Sequence, residues 1–540
     1  MDMECIASWL QSSLQRVYLS TPIPAAAPDS PDQPFELLVA RNERGSFQVC
    51  VRNTGTERVD LTLTMSGCDD LRVLARRVGY VNVAHHNTAT PVDELDGIGH
   101  IPGPVPDPLL HDQSVSLGPL ETHAFWITVV VPADATPGIQ PLRLKLEHEG
   151  VPVAQLAAAI NIHPLVVQPR QGFPVTHWFY ADALCDWYKV EPFEERFWSI
   201  AQAYMTNLIE HGNNCMYVPL FTPPTDGVKR PTQLLRFSTP GPGEYWFNFN
   251  EVQRWTRLAT RLGARYFEWT HLFTQWGAKN AIRVYRNNAN PDSLLWPADT
   301  LATSDTYRQF LAQFLPEFKQ FLTSEGLLDK SFFHLSDEPQ EHHLEQYRAA
   351  RALLAELAPW MKVADALSDV SFGKLGLTDI PIPVTSTARD YAEAGIPAWV
   401  YFCCGPRGRY LNRLIDTPPG KIRAAGWLFY RLRAQGFLHW GYNYWYKSQT
   451  RELIDPFNEQ SGAAWPGWAY GDTFEVYPGQ NGPIDSLRWE LFAESLQDYA
   501  LLQTLGISPD DPMLADMKGY DDFPKDAATI PALRRRLLAA

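Results

Sequence analysis

The hydrophobic pattern changes its period partway along the chain, and that change limits the fold more than any other feature. Up to about residue 165, apolar residues recur at every second place in short runs broken by turn residues. FELLVARNERGSFQVCVRN, RVDLTLTMSGC, HAFWITVVVPADATPG and PLRLKLEHEG are typical. Period two with Pro-Gly and Asn-containing turns predicts an antiparallel β-sandwich over 1–165. The proline-bearing stretch HPLVVQPRQGFP, 163–174, reads as a connector.

Beyond it, short apolar runs alternate with stretches of helical period. Eight strand candidates follow: VTHWFYA, NNCMYVPL, ARYFEWTHL, SFFHLSDE, VADALSD, IPVTST, AWVYFCC and FLHWGYNYW, the sixth being the weakest. Between them, YRQFLAQFLPEFKQFLTSEG and LEQYRAARALLAELAP carry apolar residues at three-and-four spacing. Eight such units predict a (β/α)8-type α/β barrel over 166–505, with 506–540 as a short helical tail. Sites in such barrels gather where the strands end, because the βα loops converge there. The strand-end candidates are Trp178, Pro219, His271, Asp337, Glu338, Asp369, Tyr401, Asn443 and Trp445.

Composition narrows the ligand. A formal net charge of −15 argues against nucleic acid or an anionic membrane surface as partner. Aromatics make up 12% of the chain, with 18 Trp, which suits both a large core and a cleft that stacks sugar rings. The seven cysteines are scattered and show no metal-ligand spacing, so they read as reduced thiols. The pairs His85-His86 and His342-His343 lack further ligands nearby in sequence, and neither a metal nor an organic cofactor is expected. The N-terminal stretch reads as a short amphipathic segment without signal-peptide features, and no run is long and apolar enough to span a membrane. The expectation is a cytoplasmic protein acting on a small oligosaccharide or glycoside, with room for a homodimer.

SFFHLSDEP is the most informative stretch: an apolar strand runs into two adjacent carboxylates, Asp337 and Glu338, and stops at Pro339. Neighbouring carboxylates repel, so one should hold its proton more tightly than the other. Conventional glycosidases place their two carboxyls on opposite sides of the scissile bond, about 5–9.5 Å apart. Consecutive residues do not straddle a bond in that way. They suit a substrate-assisted reaction, in which a 2-acetamido oxygen of the sugar attacks while one acid protonates the leaving group and its neighbour orients the acetamide. Strict strand alternation sends adjacent side chains to opposite faces, so the chain must turn at Asp337. The competing reading is an acidic pair opening the next helix.

The barrel region resembles glycoside hydrolase family 123. The resemblance rests on HLFTQWGAKNA at 271–281, FHLSDEP at 333–339, HWGYNYW at 439–445 and GDTFEVYPGQNGPIDSLRWELFAESLQDYALL at 471–502. RNERGSFQVCV at 41–51 and VPADATPG at 131–138 add to it. It implies a β-N-acetylgalactosaminidase with Glu338 as general acid/base and Asp337 orienting the acetamide.

Around this pair, His177, Trp178, His271 and Trp276 are read as sugar-binding residues. His334 sits on the strand face of Glu338, Tyr391 and Tyr401 are rival donors to the acetamide oxygen, and Asn443 and Trp445 suit either the sugar pocket or the core. Gly471-Asp472 and Arg488 read as structural, a tight turn and a helix ion pair. Two alternatives stay open. One is a glycosidase for sugars without the acetamide, using Glu268 or Asp369 as a second carboxylate; the other is a non-catalytic carbohydrate-binding protein.

Overall fold

The computed structural model describes residues 5–25, 35–223, 230–459, 464–465 and 467–539. The period-two runs form ten strands in two five-stranded sheets. One sheet runs Ile6–Ser12, Glu43–Asn53, Thr122–Val131, Arg72–Val83, Gly103–Leu110, all antiparallel. The other runs Phe35–Arg41, Val151–Val166, Gly138–His148, Val59–Ser66, Ser114–Leu117, and only its first pair is parallel. Phe47, Val49 and Val51 of the first sheet pack in one core with Leu61, Leu144 and Ile160 of the second. The amphipathic N-terminal segment is the strand Ile6–Ser12, zipped to Glu43–Asn53 from Ile6 opposite Asn53 to Ser12 opposite Phe47.

Half-buried alternation does not hold for the first sheet. Trp9, Cys50, Ala124 and Trp126, on its other face, belong to the core of the following domain. The strand Glu43–Asn53 is therefore buried along nearly its whole length. A sheet covered on both faces keeps few solvent-facing positions.

Eight short parallel strands follow, seven of them inside the strand candidates: Val175–His177, Cys215–Val218, Tyr266–Trp269, Ser331–Phe333, Ala364–Ala366, Ile380–Ile382, Val400–Tyr401 and Phe437–His439. The sixth lies earlier than its sequence pattern suggests and shares only Ile382 with IPVTST. Its segment bonds on both sides: 380–382 pairs with the fifth strand, while Pro381 O and Pro383 O accept from Trp399 N and Tyr401 N, and Thr385 N donates to Tyr401 O of the seventh. Prolines at 381 and 383 offer no N–H to either neighbour, which keeps the strand short.

The second, third and fourth strands form one sheet, the fifth and sixth another, and the seventh, eighth and first a third. Bridges between Phe333 and Val363 and between Val384 and Tyr401 join these sheets, and Asn214 N donates to Val175 O between the first and second strands. Helices occupy the connections unevenly. Asp305–Ser324 is a full helix capped by the Ser304 hydroxyl, whereas Val370–Lys374 and Ala388–Glu393 after the fifth and sixth strands have only five and six residues.

The helix Leu487–Thr504 is buried on nearly all sides and still carries charges inward. Arg488 Nε lies 3.0 Å from Asp107 of the sandwich, and Nη1 reaches Glu475 at 3.2 Å and the carbonyls of Arg413 and Gly471. The anticipated helix ion pair is thus an interdomain one. Farther along, Glu490 meets Arg76 at 3.0 Å, and Asp498 meets Arg423 and Arg534, the latter from the closing helix Thr529–Ala539.

Among the described residues one group, His211, Asp485 and Glu490, has metal-ligand spacing. The guanidinium of Arg76, 2.5 Å from Asp485 and 3.0 Å from Glu490, already supplies a cation there. All seven cysteines are free thiols, and no helix among the described residues is long and apolar enough to cross a membrane.

Removing one partner of a buried pair leaves the other charged without compensation. Arg488→Met should therefore lower unfolding free energy by about 3–5 kcal/mol, seen as a lower urea midpoint with the slope kept. A loss under about 1 kcal/mol would show that Asp107 finds other donors.

Candidate active site

The fourth strand ends at Phe333, four residues before the carboxylate pair. The intervening backbone is pinned by the next strand, where Asp365 accepts from Leu335 N at 2.9 Å and Ser336 N at 3.3 Å. Glu338 then adopts φ 43°, and its N–H donates to Ala366 O at 3.1 Å. A glutamate in the left-handed region costs energy that the surrounding bonds must offset, and such strain gathers at functional sites. This turn lets consecutive side chains line one cavity.

That cavity, about 100 Å³, is walled by Trp178, Tyr180, Trp276, Tyr401, Trp440, Tyr444, Trp465 and Trp468 around Asp337 and Glu338. Gln275, Ala366, Cys403, Leu438 and Gln449 complete it. Trp276 reaches it from a loop with three consecutive positive φ values, at Trp276, Gly277 and Ala278. The loop is bolted to the carboxylates: Trp276 N donates to Asp337 O at 2.8 Å, and Gln275 Nε2 to Asp337 Oδ2 at 3.0 Å. Gly277 is required because a Cβ there would lie 2.5 Å from the His343 ring. Tyr401 Oη donates to Glu338 Oε1 at 2.6 Å and lies 3.4 Å from the Ser368 hydroxyl.

Beneath the cavity lies a buried polar layer. Glu268 accepts from the Thr176 hydroxyl, from Trp178 Nε1 at 2.8 Å and from His334 Nε2 at 2.5 Å. His334 Nδ1 lies 3.3 Å from Asp365, which also accepts from Tyr347 Oη at 2.6 Å. Burial works against a charge on His334, but bonds to Asp365 and Glu268 outweigh it and lift its pKa to about 10. Asp337 is raised well above the ordinary carboxyl range, first by burial and then by Glu338, with the His334 cation and Gln275 opposing.

The structure brings Trp178, Trp276, Tyr401, Asp337 and Glu338 to one cavity and places the other candidates elsewhere. His177 is core, held between Asn213 Oδ1 at 2.9 Å and Arg413 Nη2 at 2.8 Å. His334 belongs to the layer below. His271 stacks on it at 4.4 Å, stays neutral through burial and the neighbouring charge, and has no hydrogen-bond partner on either ring nitrogen among the described residues. Tyr391 donates to the Leu367 and Asp369 carbonyls, so Tyr401 is the tyrosine that meets the pair.

Asn443 brackets the backbone of Tyr180, and Trp445 is core, bonded to Val476 O. Asp369 caps the helix Val370–Lys374. Gln275, Trp465 and Trp468 escaped the sequence reading. The stretch AAWPGWAYGD lies beyond the eighth strand in sequence, and its aromatic density was the available signal.

A carboxyl whose pKa is higher folded than unfolded stabilises the fold below its unfolded pKa, and that contribution is lost as pH rises through the folded value. Asp337 is such a group. Asp337→Asn should raise the thermal midpoint at pH 7 to 8, with the gain shrinking toward pH 4; an equal effect at all pH values would contradict its buried protonation.

A family model described as the catalytic domain of glycoside hydrolase 123 matches residues 178–505. No curated protein sequence matches the chain. Among solved structures, a family 123 glycoside hydrolase from Clostridium perfringens, described for glycolipid glycan hydrolysis, aligns with TM-score 0.74 at 15% identity, over 99% of this chain and 97% of that one. A GH5 xyloglucanase from Bacteroides ovatus reaches only 0.32 at 9% identity, over 86% and 98% of the two chains. With its catalytic-domain match spanning more than half its length, the chain belongs to glycoside hydrolase family 123 and is a glycosidase.

Proposed function

We propose that this chain is an exo-acting, retaining β-N-acetylgalactosaminidase that uses the 2-acetamido group of its substrate as nucleophile. The observation that carries the reading is the adjacency of Asp337 and Glu338 in one small aromatic cavity whose other described lining residues include no carboxylate. A conventional pair needs a second carboxyl across the scissile bond. Glu268 is fully engaged below the floor by Thr176, Trp178 and His334, and Asp369 is occupied as a helix cap. The aromatic walls suit the apolar face of a pyranose.

In this reading the acetamide oxygen attacks the anomeric carbon as the glycosidic C–O bond breaks. Glu338 gives its proton to the departing oxygen, while Asp337 accepts from the acetamide N–H and aligns the carbonyl. Water then opens the oxazoline-like intermediate, with Glu338 now taking the proton, so the β configuration is retained. Tyr401, bonded to Glu338, orients it.

The site would sit at the strand ends of a (β/α)8-type barrel over 166–505, between a sandwich over 1–165 and a tail over 506–540. Each strand neighbouring the next in chain order supports that description. The galacto configuration rests on family membership, and glycolipid glycans, the material of the Clostridium relative, are the natural substrate class to try first.

Aryl β-GalNAc and aryl β-galactoside under identical conditions decide the mechanism. The acetamide sugar should be turned over at least ~10³-fold faster, because an aligned internal nucleophile is worth several kcal/mol. Comparable rates would sink substrate assistance, and tight sugar binding without hydrolysis of any 2-acetamido glycoside would favour a binding protein. Glu338→Gln should cost roughly 10²–10⁴-fold on substrates with poor leaving groups and far less on aryl glycosides with acidic leaving groups; equal losses on both would remove Glu338 as the acid.

A further inference from the structure

Asp472 touches the wall of the cavity without lining it. Its Oδ2 accepts the indole N–H of Trp440 at 2.9 Å and of Trp468 at 2.8 Å, and both indoles face the cavity. Its Oδ1 faces His439 Nε2 at 3.4 Å. Gly441 N–H donates to His439 Nδ1 at 3.1 Å, and burial with Arg413 and Arg488 nearby keeps that ring neutral, so the ring proton lies on Nε2. The carboxylate thus accepts two indole N–H groups on one oxygen, while its other oxygen faces the His439 ring without a hydrogen bond among the described residues. An ionised oxygen binds the two indole N–H groups more strongly than a neutral amide oxygen would, and an amide would also turn its NH₂ toward the His439 ring.

The placement is built into the backbone. A Cβ on Gly441 would fall 2.5 Å from Asp472 O, so only glycine lets the Trp440 segment run this close to residues 472–473. Tyr444 N donates to Thr473 O, and Asn443 bridges Phe474 in antiparallel fashion, which fixes Asp472 relative to Trp440. Trp465 fills the angle between the two indoles, 6.1 Å from Trp440 and 5.1 Å from Trp468.

We propose that Asp472 is a positioning residue whose carboxylate holds Trp440 and Trp468 together as one rigid wall that receives the apolar face of the substrate sugar. It acts through the indoles and touches no reacting atom. The assignment rests on the glycosidase reading for its ligand, although the clamp itself does not depend on which sugar binds. The anticipated role of Gly471-Asp472 as a plain tight turn covers only Gly471, whose φ is 84°.

The test is Asp472→Asn in the full chain. Exchanging the ionised acceptor of two N–H donors for a neutral amide should raise KM for aryl β-GalNAc roughly tenfold, with kcat held within about threefold because the reacting groups are untouched. The near-ultraviolet circular dichroism of the indoles should change in the same variant, and a merely structural role would not divide KM from kcat. Unchanged KM and indole spectrum, or a fall in kcat alone, would overturn the proposal.

If that variant does not fold, Trp468→Phe, which keeps a ring but loses one donor, should raise KM by a smaller factor; no rise there or in Trp440→Phe would overturn it equally. A wild-type protein inactive on every 2-acetamido glycoside would instead defeat the catalytic reading. The indole spectrum of Asp472→Asn would then still decide the clamp.

Discussion

Charge carried inward on the helix Leu487–Thr504 is the constraint around which the molecule is assembled. Arg488, Glu490, Glu494 and Asp498 are all buried, so each must find a partner that the helix itself does not supply. Asp107 and Arg76 come from the sandwich, Glu475 and Arg423 from the eight-strand domain, and Arg534 from the closing helix. An ordinary amphipathic helix would tolerate rotation or sliding of the layers around it. This one has direction-specific partners on three sides, which fixes the sandwich sheet against the catalytic domain and leaves that sheet buried on both faces.

The same logic recurs under the cavity at smaller scale. Glu268, His334 and Asp365 form a charged layer that bonds the Trp178 indole and the backbone of Leu335 and Ser336. Those are a wall of the pocket and the segment leading to the carboxylate pair. The layer therefore does two jobs: it sets backbone geometry, and its His334 cation opposes part of the rise in the Asp337 pKa. Removing a member would disturb the pair by position and by field together.

Much of the architecture was legible because periodicity is a local property. Seven of the eight strand candidates and the helices Asp305–Ser324 and Leu344–Leu357 carry it plainly. The sixth strand slipped, because alternating prolines remove N–H groups and shorten it.

The site was legible in part. Asp337 and Glu338 stood out through their position after an apolar strand, and Trp178, Trp276 and Tyr401 followed as strand-end residues. His177, His334, Asn443 and Trp445, near strand ends, and Tyr391, on a short helix, bond to buried partners 24 to 263 residues away, and no local pattern shows which way such a side chain turns. Trp465 and Trp468 were missed for the opposite reason: they lie well beyond the eighth strand in sequence, outside the strand-end rule.

Under the proposed mechanism, the turn at Glu338 also bears on how one proton can serve two carboxylates. The pair repels, and the deeper member, Asp337, holds a proton more tightly because burial adds to the repulsion. In that reading an acetamide N–H presented to Asp337 would oppose this preference, since a carboxylate accepts such a bond more strongly than a carboxylic acid does. Substrate binding would then favour moving the proton toward the neighbouring carboxylate, Glu338, whose Oε1 is held by Tyr401. A sugar without the acetamide would lack both that push and the nucleophile. Adjacency in sequence, which does not suit a conventional pair, is what would make this coupling direct.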